Sequence, residues 1–405
     1  MDVLKKKRKI LYITYDGLTD ALGQSQILSY LSQLSHRGNE FYILAFEKEG
    51  NYKKNQQRVE QIVKENKLHW IKKWYTKKPP VLSTLYDIYA ATQTINQLQK
   101  QHGFDIVHCR GYIPALLGLA LKKKYGVKFI FDMRGWWADE KVEAGSWSKP
   151  AFRPIYNYFK KKERNFFQQA DFSVSLTEVG KAEIMNKFGV PAERTGVVPT
   201  CVNFEVFKEY SVAIRNSVRA RLGIDKEARV LIYSGALGGN YDLSILTTSF
   251  ATFNATYPNA YILILSKDEL PPQLESAMQE AGIANYTVKN VSYSEVSDYL
   301  CASDVGLIFY KQAYSNIGRS PTKLGEYWAS GIPVIATEGI GDLKLLEKKY
   351  PEGVVLVDQN LRNVKESLAN LRFNNQALLR QYAEDYCSLD KGINFYENVY
   401  WQLTR

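Results

Sequence analysis

Lys323 and Glu326 stand three residues apart in the segment YSNIGRSPTKLGEYWASGIPVIAT, residues 314–337. An apolar run ending at Tyr310 reads as a strand, and a glycine-containing loop follows it. Ser320 and Pro321 then mark a helix start, with proline at its tolerated first-turn position. Residues three apart share one helix face. The head of such a helix offers unpaired backbone N–H groups, here from Ser320 through Thr322 to Lys323, and these favour an anion. Together with Arg319 and Lys323 they suit a diphosphate. Glu326, a turn further on, can accept hydrogen bonds from ribose hydroxyls. An isolated Lys-x-x-Glu reads as a surface ion pair; the following YWASGIPVIAT tips the reading toward a site.

A second group lies in DMRGWWADEKVEAGSW, residues 132–147, which also follows an apolar run. Arg134, Trp136, Trp137, Asp139, Glu140 and Trp147 are gathered there. Tryptophan faces stack on sugar rings and carboxylates hold hydroxyls, although one of these tryptophans is expected in the core. A third loop, DGLTDALGQSQ (16–26), carries Gly17 and Gly23 for tight turns and Ser25 as a helix cap. It lacks the third glycine of the Gly-x-Gly-x-x-Gly dinucleotide fingerprint.

The elements that must position these groups alternate along the chain. KILYITY, FYILAF, FDIVHC, VKFIFDM and FSVSL read as buried strands, with helical patterns such as SQILSYLSQLSHRG and IPALLGLALKKKYG between them. The alternation restarts near residue 229 with RVLIYSG, AYILILS, YTVKNV, DVGLIFY, IPVIAT and GVVLV. Strand and helix in alternation build parallel sheets with right-handed crossovers. The sequence therefore predicts an α/β protein with two Rossmann-like parallel-sheet domains facing across a cleft. The first spans 1–205, the second 206–385, and a terminal helix 386–405. TGVVPTCVNFEVFKEY (195–210) closes the first set with a strand and runs on as the connector, where a hinge is expected. Phe395, Val399 and Leu403 recur at helical spacing, so the terminal helix must pack on something.

Bulk properties exclude several classes. The 405 residues suit two cores rather than one. Four scattered cysteines and four histidines, all early in the chain, suggest neither a disulfide framework nor a metal centre. No Asp-x-Asp pair is present to hold a metal against a diphosphate. No stretch is apolar enough to span a bilayer and the start is no signal peptide, so a cytoplasmic location is expected. Residues 1–200 carry 33 Lys and Arg against 19 Asp and Glu, and the remainder 20 against 23. The charge is thus +14 in the first half and −3 beyond it. LKKKRK (4–9), WIKKWYTKKPP (70–80) and LKKKYG (121–126) are basic clusters, the second interleaved with aromatic rings. They suit peripheral attachment to the anionic inner membrane face, with nucleic acid set aside.

At this point the sequence resembles a family. SPTKLGEYWASGIPVIAT is similar to the donor-site signature of family 4 glycosyltransferases, which have the GT-B fold. DGLTDALGQSQILSYLSQLSHRG, DIVHCRGYIPALLGLAL, FIFDMRGWWADE, TGVVPTCVNFEVF and VLIYSGALGGNYDL resemble its successive blocks in order. The resemblance implies a retaining, metal-free hexosyl transfer from a nucleotide-diphosphate sugar, with no further cofactor. The acceptor would be a glycan or a lipid-linked sugar of cell-surface polysaccharide synthesis. It also implies a terminal helix that crosses back to the first domain. By position, Glu326 would bind the ribose, Gly235 after Ser234 would approach the donor phosphates, and Gly23 would face them from the first domain. His108 would lie near the transferred sugar. His108, Arg134 and Asp139 would orient the acceptor, with Trp136, Trp137 and Glu140 binding it. Two departures stand out. Gly318 occupies a position where many members have a glutamate, and YSGALGGNYD lacks the usual Arg and Lys. Rival readings are a sugar-nucleotide epimerase on the same fold and a non-catalytic partner subunit.

Overall fold

The computed structural model describes residues 7–79, 81–238 and 243–405. They form two compact units: residues up to Pro199 with Leu389–Arg405, and Thr200–Ser388. The division thus falls at 199/200 and 388/389 rather than at the expected 205 and 385. Hydrogen bonds explain the difference. Thr200 donates two bonds to Ser320, and the Val202 amide donates to the Cys387 carbonyl, so the connector already belongs to the second unit.

In the first unit seven strands lie parallel: β1 (Arg8–Thr14), β2 (Asn39–Glu47), β3 (His69–Trp74), β4 (Ile106–Arg110), β5 (Lys128–Asp132), β6 (Phe172–Ser175) and β7 (Thr195–Val197). Their order is β3-β2-β1-β4-β5-β6-β7. β3 was legible only as a basic, aromatic cluster. It is the edge strand, exposed enough for the adjacent Lys72 and Lys73 to be tolerated. The helix Leu389–Leu403 packs within this unit, on the helix Ser29–Ser35 and the face of the sheet. Its buried face is Gly392, Ile393, Tyr396, Val399 and Tyr400, turned from the predicted Phe395–Val399–Leu403 stripe. Phe395 instead covers β7, where a Cβ on Gly196 would meet its ring at 2.4 Å.

In the second unit six parallel strands follow: β8 (Arg229–Ser234), β9 (Ala260–Leu265), β10 (Tyr286–Lys289), β11 (Val305–Ile308), β12 (Val334–Thr337) and β13 (Val354–Val357). Their order is β10-β9-β8-β11-β12-β13. Val, Ile and Leu alternate onto both faces, with an apolar cluster on each side of the sheet. One buried carboxylate ties the strand starts together. Asp304 accepts from Arg215 (2.7 Å), Arg219 (2.8 Å) and the Val230 amide (2.7 Å).

Candidate functional site

Both sheets reverse their winding between the first and fourth strands of the unit, β1/β4 and β8/β11. Ligands of open parallel sheets bind at the carboxyl ends of strands at such a reversal. In the second unit these ends carry Ser234 and Gly235 after β8 and the loop 309–321 after β11. The helix Thr322–Ala329 rises from that loop with Pro321 as its extended cap and no capping side chain. The amides of Thr322 and Lys323 lack intrahelical acceptors, while that of Leu324 donates to the Pro321 carbonyl at 3.1 Å. Glu326 is 2% exposed and accepts from Lys323 Nζ at 2.8 Å, while the Lys323 side chain stays partly open to solvent. Burial, and secondarily the same carboxylate, push the Tyr293 phenol upward.

Packing fixes this helix on its other sides. The Tyr327 hydroxyl accepts from the Ser234 amide at 3.2 Å, bringing the helix to the end of β8. The Tyr327 ring lies over Gly306, where a Cβ would come within 2.5 Å. Trp328 donates to the Gly353 carbonyl at 2.8 Å. Gly325 meets Val202 and Cys387, where any side chain would crowd. The Ser320 hydroxyl accepts from the Thr200 amide at 3.0 Å, so this side chain anchors the connector. The Arg319 guanidinium lies 4.5 Å over the Tyr310 ring. The Gly235 amide is taken by the Leu265 carbonyl at 3.0 Å. Gly239 to Asp242 of the predicted phosphate loop lie outside the described residues.

In the first unit, strand alternation places His108 and Arg110 of β4, and Asp132 with Arg134 after β5, on one face of the sheet. They line a small cavity with Tyr12, Gln26, Tyr30, Tyr396 and Tyr400. His108 is 1% exposed, with Nδ1 2.7 Å from the Tyr400 hydroxyl and Nε2 3.6 Å from Asp132. It lies under the terminal helix, in a place to position other groups rather than to touch a sugar. Burial lowers its pKa, the Asp132 carboxylate opposes this, and the two arginines add to the lowering. Burial alone would raise Asp132, but Arg134, His108 and Arg110 outweigh it and hold it below the usual carboxylate range. Arg134 adopts a left-handed backbone at φ 58° and sits 3.8 Å from Asp132. Arg110, Asp132, Tyr396 and Tyr400 escaped the sequence reading. The signal was there: 108 with 110, and 132 with 134, share a strand parity.

The loop 132–147 splits into several environments. Trp136 is 0% exposed and packs on Phe167 and Phe188, with Lys160 over its ring. It is the core tryptophan and cannot stack on a sugar. Trp137 is half-buried among Tyr112, Trp147 and Phe159. Asp139 is buried, accepting from Tyr156 (2.9 Å) and Lys160 (2.8 Å), and Lys160 also pairs with the buried Glu163. Its carboxylate is engaged in packing the helix Trp137–Glu143 against the helix Arg153–Gln169. Glu140 of the same helix is half-buried. Gly23 is also structural: a Cβ there would lie 2.0 Å from the Gly17 carbonyl oxygen. Beside it, Glu47 accepts from the amides of Leu18 and Thr19 and from the Thr19 hydroxyl, closing the turn after β1.

Residues 23–206 match the family model described as Glycosyltransferase Family 4. A D-inositol 3-phosphate glycosyltransferase of Nocardioides sp. is 23% identical over 293 residues, 67% of this chain. The match spans 60% of that relative's length. Sucrose-phosphate synthase of Thermosynechococcus elongatus superposes with a TM-score of 0.72 at 16% identity, covering 98% of this chain and 99% of that one. Anabaena HepE, in complex with UDP and glucose, gives 0.68 at 14% identity, covering 97% and 99%. These likenesses establish the GT-B fold.

Proposed function

We infer the reaction from one premise: through residues 23–206 the chain belongs to Glycosyltransferase Family 4. It transfers a sugar from a nucleotide-diphosphate sugar to a glycan or lipid-linked acceptor of cell-surface polysaccharide synthesis. The carrying observation is the buried Glu326 paired with Lys323 at the head of a helix that starts at the winding reversal of the second sheet. Glu326 takes the ribose hydroxyls. Lys323, Arg319 and the amides of Thr322 and Lys323 hold the diphosphate, with Ser234 and Gly235 along the neighbouring strand end.

Retention follows from same-face attack. The bond from the anomeric carbon to the diphosphate oxygen breaks as the acceptor oxygen bonds to that carbon. The acceptor proton passes to the departing diphosphate, whose charge Lys323 and Arg319 stabilise. Arg134 and Arg110, held over Asp132, orient the acceptor in the first unit, and His108 positions them through Asp132. Calorimetric titration with uridine, guanosine and adenosine diphosphate sugars tests the reading. One of them binding to the parent, and more weakly to Glu326→Ala, supports it. Binding of none would overturn it.

A further inference from the structure

The helix Leu82–His102 turns one stripe into the first unit: Ser83, Asp87, Ala91 and Ile95. The opposite stripe changes character along its length. Leu82, Leu85, Tyr86 and Tyr89 are 55–64% exposed over the first two turns. Gln93, Gln97 and Lys100 continue it. A face made only to meet water would be polar throughout. Here four large apolar or aromatic side chains gather at one end, and such patches mark interaction sites.

A buried carboxylate fixes where that end lies. Asp87 accepts from the Tyr15 hydroxyl at 2.7 Å and from the Thr76 amide at 3.2 Å. Tyr15 directly follows β1, so the patch adjoins the carboxyl ends of the strands. The segment after edge strand β3 reaches the same corner through Thr76, with Lys77 and Lys78 just beyond it, while Trp74 packs on Tyr52 of the helix Glu49–Glu65. Lys72 pairs with Glu60 at 3.5 Å. Lys73, Lys77 and Lys78 have no carboxylate in ion-pair range among the described residues. The only acid between Trp74 and Tyr89 is the buried Asp87. The other basic clusters are less suited: Lys122 is neutralised by Asp171 at 2.6 Å, and half of LKKKRK lies outside the described residues.

We propose that Leu82, Leu85, Tyr86 and Tyr89, rimmed by Lys73, Lys77 and Lys78, form a docking surface for an anionic lipid bilayer. The inference rests on the reading of the first unit as the acceptor-binding one. Leucine tips enter the acyl boundary, the aromatic rings sit at headgroup depth, and the lysines meet lipid phosphates. Lysines without carboxylate partners fit an anionic plane. The surface brings the strand-end edge next to the bilayer, where the head of a lipid-linked acceptor is presented.

The test is co-sedimentation of the full chain with vesicles of phosphatidylglycerol and phosphatidylcholine in equal parts, and with phosphatidylcholine alone. Binding is expected to the anionic vesicles only, weakening with salt. Leu82→Ser with Leu85→Ser, and separately Lys77→Glu with Lys78→Glu, should each lower the partition coefficient about tenfold or more. Neither pair touches the donor groups, so sugar-nucleotide affinity should stay at the parent value. Equal vesicle binding by parent and both variants overturns the proposal, as does no binding to anionic vesicles. So does a lipid-free dimer, seen by sedimentation velocity, that both variants dissociate. Vesicle binding lost in the variants while no sugar nucleotide binds would support the surface and strike only the donor reading.

Discussion

Glu326 carries the donor reading because its surroundings leave it few other reasons to be buried. A carboxylate at 2% exposure with one lysine partner costs desolvation that a surface pair would not. Glu326→Ala should weaken sugar-nucleotide binding by about 1.5–3 kcal/mol, roughly 10- to 150-fold in Kd, for a lost charge-assisted hydrogen bond. Calorimetry reads this directly, and an unchanged Kd removes Glu326 from the ribose. His108 makes a different prediction, through pH. Burial holds its pKa below the ordinary value. As acid is added, the unfolded chain takes a proton that the folded chain refuses. Stability from this group is therefore full above about pH 6.5 and falls as pH drops toward the folded value. The urea midpoint should fall between about pH 7.5 and pH 5.5, and fall less in His108→Gln. The remaining histidines are common to both proteins, so an identical decline in the two would show that His108 contributes nothing.

At the scale of elements, buried pairs rather than exposed ones decide what can be removed. Asp304 holds two arginines and the amide that begins β8. Asp304→Ala leaves the buried Arg219 with carbonyl acceptors but no counter-charge, and should cost the second unit about 3–5 kcal/mol in urea unfolding. A loss below about 1 kcal/mol would mean that water replaces the carboxylate. The parallel strands and their helices were legible because an apolar run buried on both faces leaves a plain trace in sequence. Three features were not. β3 has one solvent edge and carries lysines, so its hydropathy is that of a loop. The terminal helix buries Tyr396 and Tyr400, whose hydroxyls hide their apolar rings from a search for leucine and valine at helical spacing. Trp136, Trp137 and Asp139 read alike in sequence, but Trp136 lies in the core, Trp137 is half-buried and the buried Asp139 is held by Tyr156 and Lys160. Lys323 and Glu326 were legible as a pair. The bond of the Ser320 hydroxyl to Thr200 spans 120 residues and leaves no trace in sequence.

At the scale of the whole molecule, the two units give separate handles on the donor. A sugar nucleotide at a hundredfold excess over its Kd should stabilise the unit that binds it by about 2.7 kcal/mol. With two units, unfolding need not be one transition. Scanning calorimetry across a sugar-nucleotide panel should raise the transition that contains Thr200–Ser388. A panel that moves no transition removes the donor site from that unit. The path of the chain has a consequence for synthesis. The first unit is assembled from residues up to Pro199 and from Leu389–Arg405, with the whole second unit encoded between them. At about 5–20 residues per second, roughly 10–40 s separate the emergence of the first seven strands from that of the helix that covers them. During that interval Tyr12, His108 and Asp132 face solvent, and the second unit has every part it needs to fold. The nascent first unit must wait uncovered for its neighbour to be made, so its closing helix arrives as the last piece of a fold begun first.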